Sequence, residues 1–285
     1  MGVLYMVGTP IGNLGDISLR ALETLKDADV VACEDTRHTL GLLNHFSIKK
    51  PLVSCHANDE ERGSLRILRL LEEGKKVAYC SDAGTPGISD PGAQAARRAR
   101  AAGHRVVPIP GPSALATLAS ASGFAERGFL FDGFLSPKQG RRRARLAELL
   151  AREEAFILYE SPFRIRRLAA DLAELAPDRR VCLGRELTKI HEQIVECGAA
   201  ELATRLAEGS ADPIPQKGEF ALLVSGRAGE QDREEKQAGA GMPVDAGMQA
   251  GARDAAKVGR KSLSGKPTGT EKSAFTGMAG EEIDE

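Results

Sequence analysis

Ser81-Asp82-Ala83-Gly84-Thr85-Pro86-Gly87-Ile88-Ser89-Asp90-Pro91-Gly92, a loop built almost wholly of turn residues, follows directly on the apolar run Lys76 to Cys80. An apolar run that ends in glycine and proline reads as a strand feeding a turn, and the same junction recurs along the chain. Val3 to Val7 runs into Gly8-Thr9-Pro10-Ile11-Gly12-Asn13-Leu14-Gly15-Asp16, and Arg105 to Ile109 runs into Pro110-Gly111-Pro112-Ser113. A further strand is predicted over Asp29 to Cys33. Between these runs lie helical stretches, marked by Leu19, Leu22 and Leu25 and then by Leu65, Leu68 and Leu71 at i, i+3 spacing. The second opens with Asn58 and Glu61 at capping-box spacing and closes at Gly74. Short strands alternating with helices predict a mostly parallel α/β sheet covered by helices. In such a sheet the loops at the carboxyl ends of the strands form the ligand crevice, and their glycines let backbone approach a ligand closely.

Working outward, an alanine-rich helix is predicted from Pro112-Ser113 to about Ser122, and the stretch Gly123 to Gly128 reads as a hinge into a second domain. The strands predicted there are Phe129 to Phe134, Ala155 to Tyr159, Val181 to Leu187, Gln193 to Cys197 and Phe220 to Val224. Some are too close in sequence for a crossover helix, so part of this sheet must be antiparallel and the sheet mixed. From Ala228 to Glu285 the chain becomes Gly, Ala, Lys, Ser and Glu with no sustained apolar period, a composition expected to stay disordered because it cannot offset its ordering entropy. The expected organisation is therefore 1–122, 123–227 and a tail over 228–285.

Composition narrows the function classes. A chain of 285 residues with 42% hydrophobic residues can fill two ordinary cores. A formal net charge of −1 argues against binding nucleic acid through bulk positive potential, and 4% aromatics with no Trp argues against a base-stacking platform, so any RNA surface must rest on local charge. Cys33, Cys55, Cys80, Cys182 and Cys197 form no C-x-x-C pair, and the histidines lack ligand spacing, so no metal site is expected. The apolar Met1 to Val7 has no basic lead and reaches glycine and proline early, so a cytoplasmic location and no membrane role are expected.

The first loop has the spacing G-x-x-x-G-x-x-G with Pro10 inside it, which is poor for a dinucleotide turn, and no G-x-x-x-x-G-K-[ST] phosphate loop occurs. What remains is a small molecule held mainly by backbone groups, with acids such as Asp82 for polar recognition.

Six runs make the reading specific: G-T-P-I-G-N-L-G-D at Gly8 to Asp16, C-E-D-T-R at Cys33 to Arg37, S-D-A-G-T-P-G-I-S-D-P-G at Ser81 to Gly92, P-G-P-S-A at Pro110 to Ala114, Y-E-S-P-F-R at Tyr159 to Arg164, and R-E-L-T-K at Arg185 to Lys189. In these runs the chain resembles the ribosomal RNA small-subunit methyltransferase I family of the tetrapyrrole methylases, over about residues 1 to 226. The tail departs from that pattern. The resemblance implies a two-domain tetrapyrrole-methylase fold, usually a homodimer, with S-adenosylmethionine in the cleft between domains. It implies methyl transfer to the ribose 2′-hydroxyl of a decoding-centre cytidine in 16S rRNA, in the 30S subunit. By motif, Pro10, Asp82, Ala83, Gly84, Thr85, Ser113 and Ala114 should line the cofactor, and Tyr159, Leu187, Gly218 and Phe220 should close the site from the second domain.

A ribose hydroxyl is weakly acidic, so a base or a charge that stabilises the developing alkoxide would assist its methylation. Glu34, Asp35, Glu160, Glu186 and Lys189 are the candidates in the motif runs, unranked by sequence. Ser136, Pro137 and Gln139 have the pattern of a helix start, after which Lys138, Arg141, Arg142 and Arg145 fall on one face at i, i+3, i+4 and i+7. Cations near a helix N-terminus oppose its dipole, so phosphate contacts are the functional reading and a solvated face the plain one. Arg37 and Arg164 are further candidates for RNA. Two alternatives stay open: a precorrin or uroporphyrinogen methyltransferase on the same fold, and a non-catalytic ribosome-assembly factor that senses S-adenosylmethionine.

Overall fold

Residues 1–56, 59–125 and 128–227 are described by a computed structural model. Five parallel strands form the first sheet, β1 (Val3–Val7), β2 (Val30–Cys33), β3 (Leu52–Ser54), β4 (Lys76–Cys80) and β5 (Arg105–Ile109), in the order β3-β2-β4-β1-β5. The strand β3 is absent from the sequence expectation because three residues after Pro51 are too short to show a period. Register brings the loops together: Val7 pairs with Cys80 on one side and Ile109 on the other, so β1, β4 and β5 end level with one another. All four residues of β2 are buried, as expected of a strand covered on both faces.

Helices α1 (Leu19–Asp27), α2 (Thr36–His45), α3 (Glu60–Glu72) and α4 (Ala93–Ala101) supply the crossovers. The α1 start is capped by the Ser18 hydroxyl, which accepts from the Ala21 amide at 3.1 Å. The inward face of α1 carries Ala21 and Leu25, while Leu19 is exposed; that of α3 carries Gly63, Ser64, Ile67 and Leu71, while Leu65 is exposed. The i, i+3 leucine series thus marks these helices but drifts off the buried stripe, which a 3.6-residue turn sets one position away. Asp59 occupies the N-cap of α3 without a side-chain cap, and the expected Asn58 cap lies outside the described residues.

The second sheet comprises β6 (Phe129–Phe134), β7 (Ala155–Glu160), β8 (Arg180–Arg185), β9 (Gln193–Gly198) and β10 (Phe220–Val224), in the order β6-β7-β10-β8-β9. β6 and β7 are parallel, joined through α6 (Gln139–Leu150), while β10 runs antiparallel to β7 and β8, and β9 to β8. The sheet is mixed, as the short connections require. Its middle strand β10 is buried throughout, each large apolar side chain contributing roughly 1.5–3 kcal/mol. Leu146, Leu149, Leu168 and Leu172 from α6 and α7 (Ile165–Leu175) and Leu202 from α8 (Ala199–Leu206) cover one face.

The other face is covered by α5 (Ala114–Ser122), whose Leu118 packs with Ile157, Cys182, Leu187, Ala221 and Leu223. The chain therefore crosses to the second sheet before α5, whereas the turn signal at Gly123 had placed the boundary after Ser122. Gly123 is the left-handed C-cap of that helix, φ 68°. Both sheets belong to one compact unit. The segment from Ala228 to Glu285 lies outside the described residues, and among the described residues no helix is long and apolar enough to cross a membrane.

Candidate functional site

The loops leaving β1, β4 and β5 are tied together by backbone. The Thr9 amide donates to the Gly84 carbonyl at 2.9 Å and the Gly84 amide returns a bond to Thr9 at 3.0 Å. The Thr9 hydroxyl donates to the Ser81 carbonyl at 3.2 Å, and the Thr85 hydroxyl to the Pro112 carbonyl at 3.2 Å. A Cβ at Gly8 would lie 2.8 Å from the Gly111 backbone, so this approach admits no side chain. Gly84 has φ 77°, and a Cβ there would meet the Ile11 side chain at 3.3 Å and the Pro112 carbonyl at 3.5 Å. The loops form a fixed floor with exposed backbone.

Over this floor the second sheet closes a cleft of about 350 Å³. A cleft of roughly 300–1,000 Å³ suits a small molecule. Ile11, Ala83, Gly84, Thr85, Ser113 and Ala114 line it from the first side, and Tyr159, Glu160, Leu187, Glu219 and Phe220 from the second. Eight of the residues expected at the cofactor, Ala83, Gly84, Thr85, Ser113, Ala114, Tyr159, Leu187 and Phe220, therefore meet in one place. The other three do not line the cleft. Pro10 is buried beneath it beside Ile11. Asp82 turns to the neighbouring loop, where its Oδ1 accepts from the Asp35 amide at 2.9 Å. Gly218 gives room to the Glu186 carboxylate, whose Oε1 accepts from the Glu219 amide at 2.9 Å.

The catalytic candidates separate in space. Glu160 lines the cleft but is clamped: its side chain is 1% exposed, its Oε1 takes the Arg164 guanidinium at 2.7 Å and accepts from the Ser161 amide at 2.7 Å. Glu186, with φ 51°, and Lys189 form an ion pair at 2.9 Å at the start of the β8–β9 connection, and Lys189 also reaches Glu219 at 3.1 Å. Burial would raise Glu186, but Lys189 and the Glu219 amide outweigh it and hold this carboxyl below the usual range. Asp35 caps α2, accepting from the Arg37 amide at 2.8 Å, and Glu34 beside it is half-buried; neither lines the cleft. The backbone bond to Arg37, with its side chain, holds the Asp35 carboxyl low.

The basic helix face is corrected by the structure. The helix α6 starts at Gln139 with Lys138 at the N-cap, and Ser136 accepts from the Lys138 amide at 3.3 Å instead of capping the helix. Arg142 is not on a solvated face: its side chain is 5% exposed and its Nε donates to the buried Asp171 at 2.6 Å. Arg142 shares the inward stripe of α6 with Leu146, Leu149 and Leu150, whereas Lys138 is exposed and Arg145 half-buried. Arg145 grips Asp132 with Nε at 3.0 Å and Nη2 at 2.6 Å and reaches Glu148 at 2.7 Å. Arg164 is spent on Glu160 and on the Leu135 carbonyl at 3.2 Å. Lys138, Arg141 and Arg37 are exposed, Arg37 with Asp35 alongside at 3.3 Å.

Sequence reading passed over Ile88, Asp90 and Phe134, all of which line the cleft. Asp90 sits in the quoted Ser81 to Gly92 loop, but nothing in that pattern ranked it above Asp82. Tyr159 lies at the centre, edge-on to Phe131 with ring centroids 4.8 Å apart and to Phe134 at 5.9 Å. Burial pushes the Tyr159 phenol up to about 12, against hydrogen bonds to Leu115 backbone and Ser113.

A parallel sheet whose loops meet a mixed sheet across a small-molecule cleft is the architecture of the tetrapyrrole methylases. The model of that family, Tetrapyrrole (Corrin/Porphyrin) Methylases, matches residues 3–203. The fold is shared with uroporphyrin-III-C-methyltransferase from Thermus thermophilus, with a TM-score of 0.55, 23% identity and coverage of 82% of this chain and 98% of that one. Diphthine synthase gives a TM-score of 0.58 at 15% identity, covering 79% and 90%. In sequence the chain is 46% identical over 228 residues to ribosomal RNA small subunit methyltransferase I of Xylella fastidiosa, covering 80% of this chain and 82% of that protein. Against the protein of that name from Bacillus subtilis it is 40% identical over 237 residues, covering 83% and 80%. The chain belongs to the ribosomal RNA small subunit methyltransferase I family and is an S-adenosylmethionine-dependent methyltransferase.

Proposed function

We propose that the cleft binds S-adenosylmethionine and that the chain methylates the ribose 2′-hydroxyl of a decoding-centre cytidine in 16S rRNA, within the 30S subunit. The residues fit the cofactor. Backbone at Ala83 to Thr85, freed of side chain at Gly84, and at Ser113 and Ala114 would hold its polar groups, while Ile11, Leu187 and Phe220 would cover its apolar parts and exclude water. When bound, this sulfonium supplies an electrophilic methyl carbon, and the protein's task is alignment, with no covalent intermediate on a side chain required.

One observation favours a nucleotide as acceptor. Phe134 lines the cleft yet is 55% exposed, presenting a ring at the mouth on which an unpaired base can stack. A few residues further along the chain, exposed Lys138 and Arg141 offer cations for phosphate contacts. The same reading takes the chain as a homodimer acting in the cytoplasm. Incubating the protein with 30S subunits and methyl-labelled cofactor, then mapping the labelled nucleotide, tests it. Label on one cytidine ribose of 16S rRNA is expected; label on a base, or transfer to uroporphyrinogen in place of RNA, would overturn it.

A further inference from the structure

Three carboxylates line the cleft: Asp90, Glu160 and Glu219. Two are already committed to cations. To take a proton the buried Glu160 would surrender its Arg164 partner, and Glu219 would surrender Lys189. Glu186 and Lys189 hold each other outside the cleft lining. Tyr159 faces the cleft, but a phenol pushed up to about 12 keeps its proton at neutral pH. Asp90 differs. No cation among the described residues pairs with it, and it sits half-buried in the cleft wall between Ser89 and Pro91. Pro91 restricts its backbone toward extended geometry, and the floor of the loop is anchored at Ser81, whose carbonyl accepts from the Thr9 hydroxyl at 3.2 Å.

Resting on the function proposed above, we infer that Asp90 is the catalytic base that takes the proton of the acceptor hydroxyl. As the acceptor oxygen forms its bond to the methyl carbon, the carbon–sulfur bond breaks with its electron pair passing to sulfur. The hydroxyl proton moves to an Asp90 carboxylate oxygen and leaves from there to water. The charge environment suits the role. Burial holds the Asp90 carboxyl above the usual carboxylate range, the Asp82 carboxylate and, more weakly, Glu219 add to this, and a hydrogen bond from Ser81 opposes it. A base closer to working pH accepts a proton more effectively. Tyr159 is the remaining titratable group that senses Asp90.

Asp90→Asn keeps the shape and removes the base. The variant and the parent are compared for cofactor binding by calorimetry, for single-turnover methylation of 30S subunits over pH 5 to 9, and, without cofactor, for carboxyl-carbon NMR titration assigned by the missing Asp90 signal. Expected are cofactor affinity within about twofold, a rate lowered by about 10²-fold or more, loss of the acidic limb of the pH profile, and an Asp90 resonance titrating above an ordinary aspartate. Asp90→Glu should recover part of the rate. An active parent with Asp90→Asn within threefold of it and the same pH profile would overturn the inference, as would loss of cofactor binding, which would make Asp90 a cofactor ligand. A parent that methylates no RNA would instead refute the function on which the inference rests.

Discussion

Replacing Arg142 with alanine separates a structural from an RNA-binding role for the basic helix. The Arg142 side chain is 5% exposed and Asp171 is 4% exposed, with Nε and Oδ2 2.6 Å apart. Removing one member of a buried ion pair costs about 3–5 kcal/mol because the other charge is left without compensation. Here the loss falls at the lower end. Asp171 Oδ1 retains Arg143 at 3.4 Å, a partner 32% exposed that is shared with Glu174. We expect about 3 kcal/mol from urea unfolding, or a melting point lowered by about 6–12 °C for a folded body of this size. Replacing the pair together, Arg142→Met with Asp171→Leu, should restore most of that loss, since no stranded charge remains. A loss under about 1 kcal/mol for Arg142→Ala, joined to weakened RNA binding, would refute the reasoning and return this residue to the RNA surface.

Gly84→Val should weaken S-adenosylmethionine binding by about tenfold or more in calorimetry while the circular dichroism spectrum is kept, because the side chain meets Ile11 in a backbone conformation that β-branched residues rarely adopt; unchanged affinity would move the cofactor elsewhere. Lys138→Ala with Arg141→Ala should weaken 30S binding and lower the salt slope by about one charge-equivalent per residue, with cofactor affinity unmoved, and a salt slope equal to the parent's would count against this surface. Asp90→Asn should also show in stability. With the folded-state carboxyl raised by burial, the parent's stability is full below the ordinary aspartate value of about 3.9 and falls as pH climbs through the raised value. The variant should therefore be the more stable at pH 7.5, with the gain vanishing below about pH 4; a gain that persisted there would mean that Asp90 titrates normally.

The sequence by itself determined most of the strands and the loops that carry chemistry, though not the three-residue β3. Strand ends followed by glycine and proline placed β1, β4, β5 and their loops, because turn chemistry is local. The family resemblance implied Tyr159, Leu187 and Phe220 opposite those loops, and all three line the cleft. What local pattern cannot carry is which face of an element turns inward and which charges meet across the fold. Four basic residues at helical spacing look alike whether the stripe faces water or core, and only Asp171 on α7 decides that Arg142 is inside. The same holds for the crossing between sheets: α5 belongs with the second sheet because Leu118 finds Ile157 and Leu223 there, a contact between residues far apart in sequence. Asp82 and Asp90 are eight positions apart in one turn-rich loop. Tertiary packing hands the first to the Asp35 amide and leaves the second in the cleft with no cation beside it among the described residues, a difference in surroundings that is invisible in their residue type.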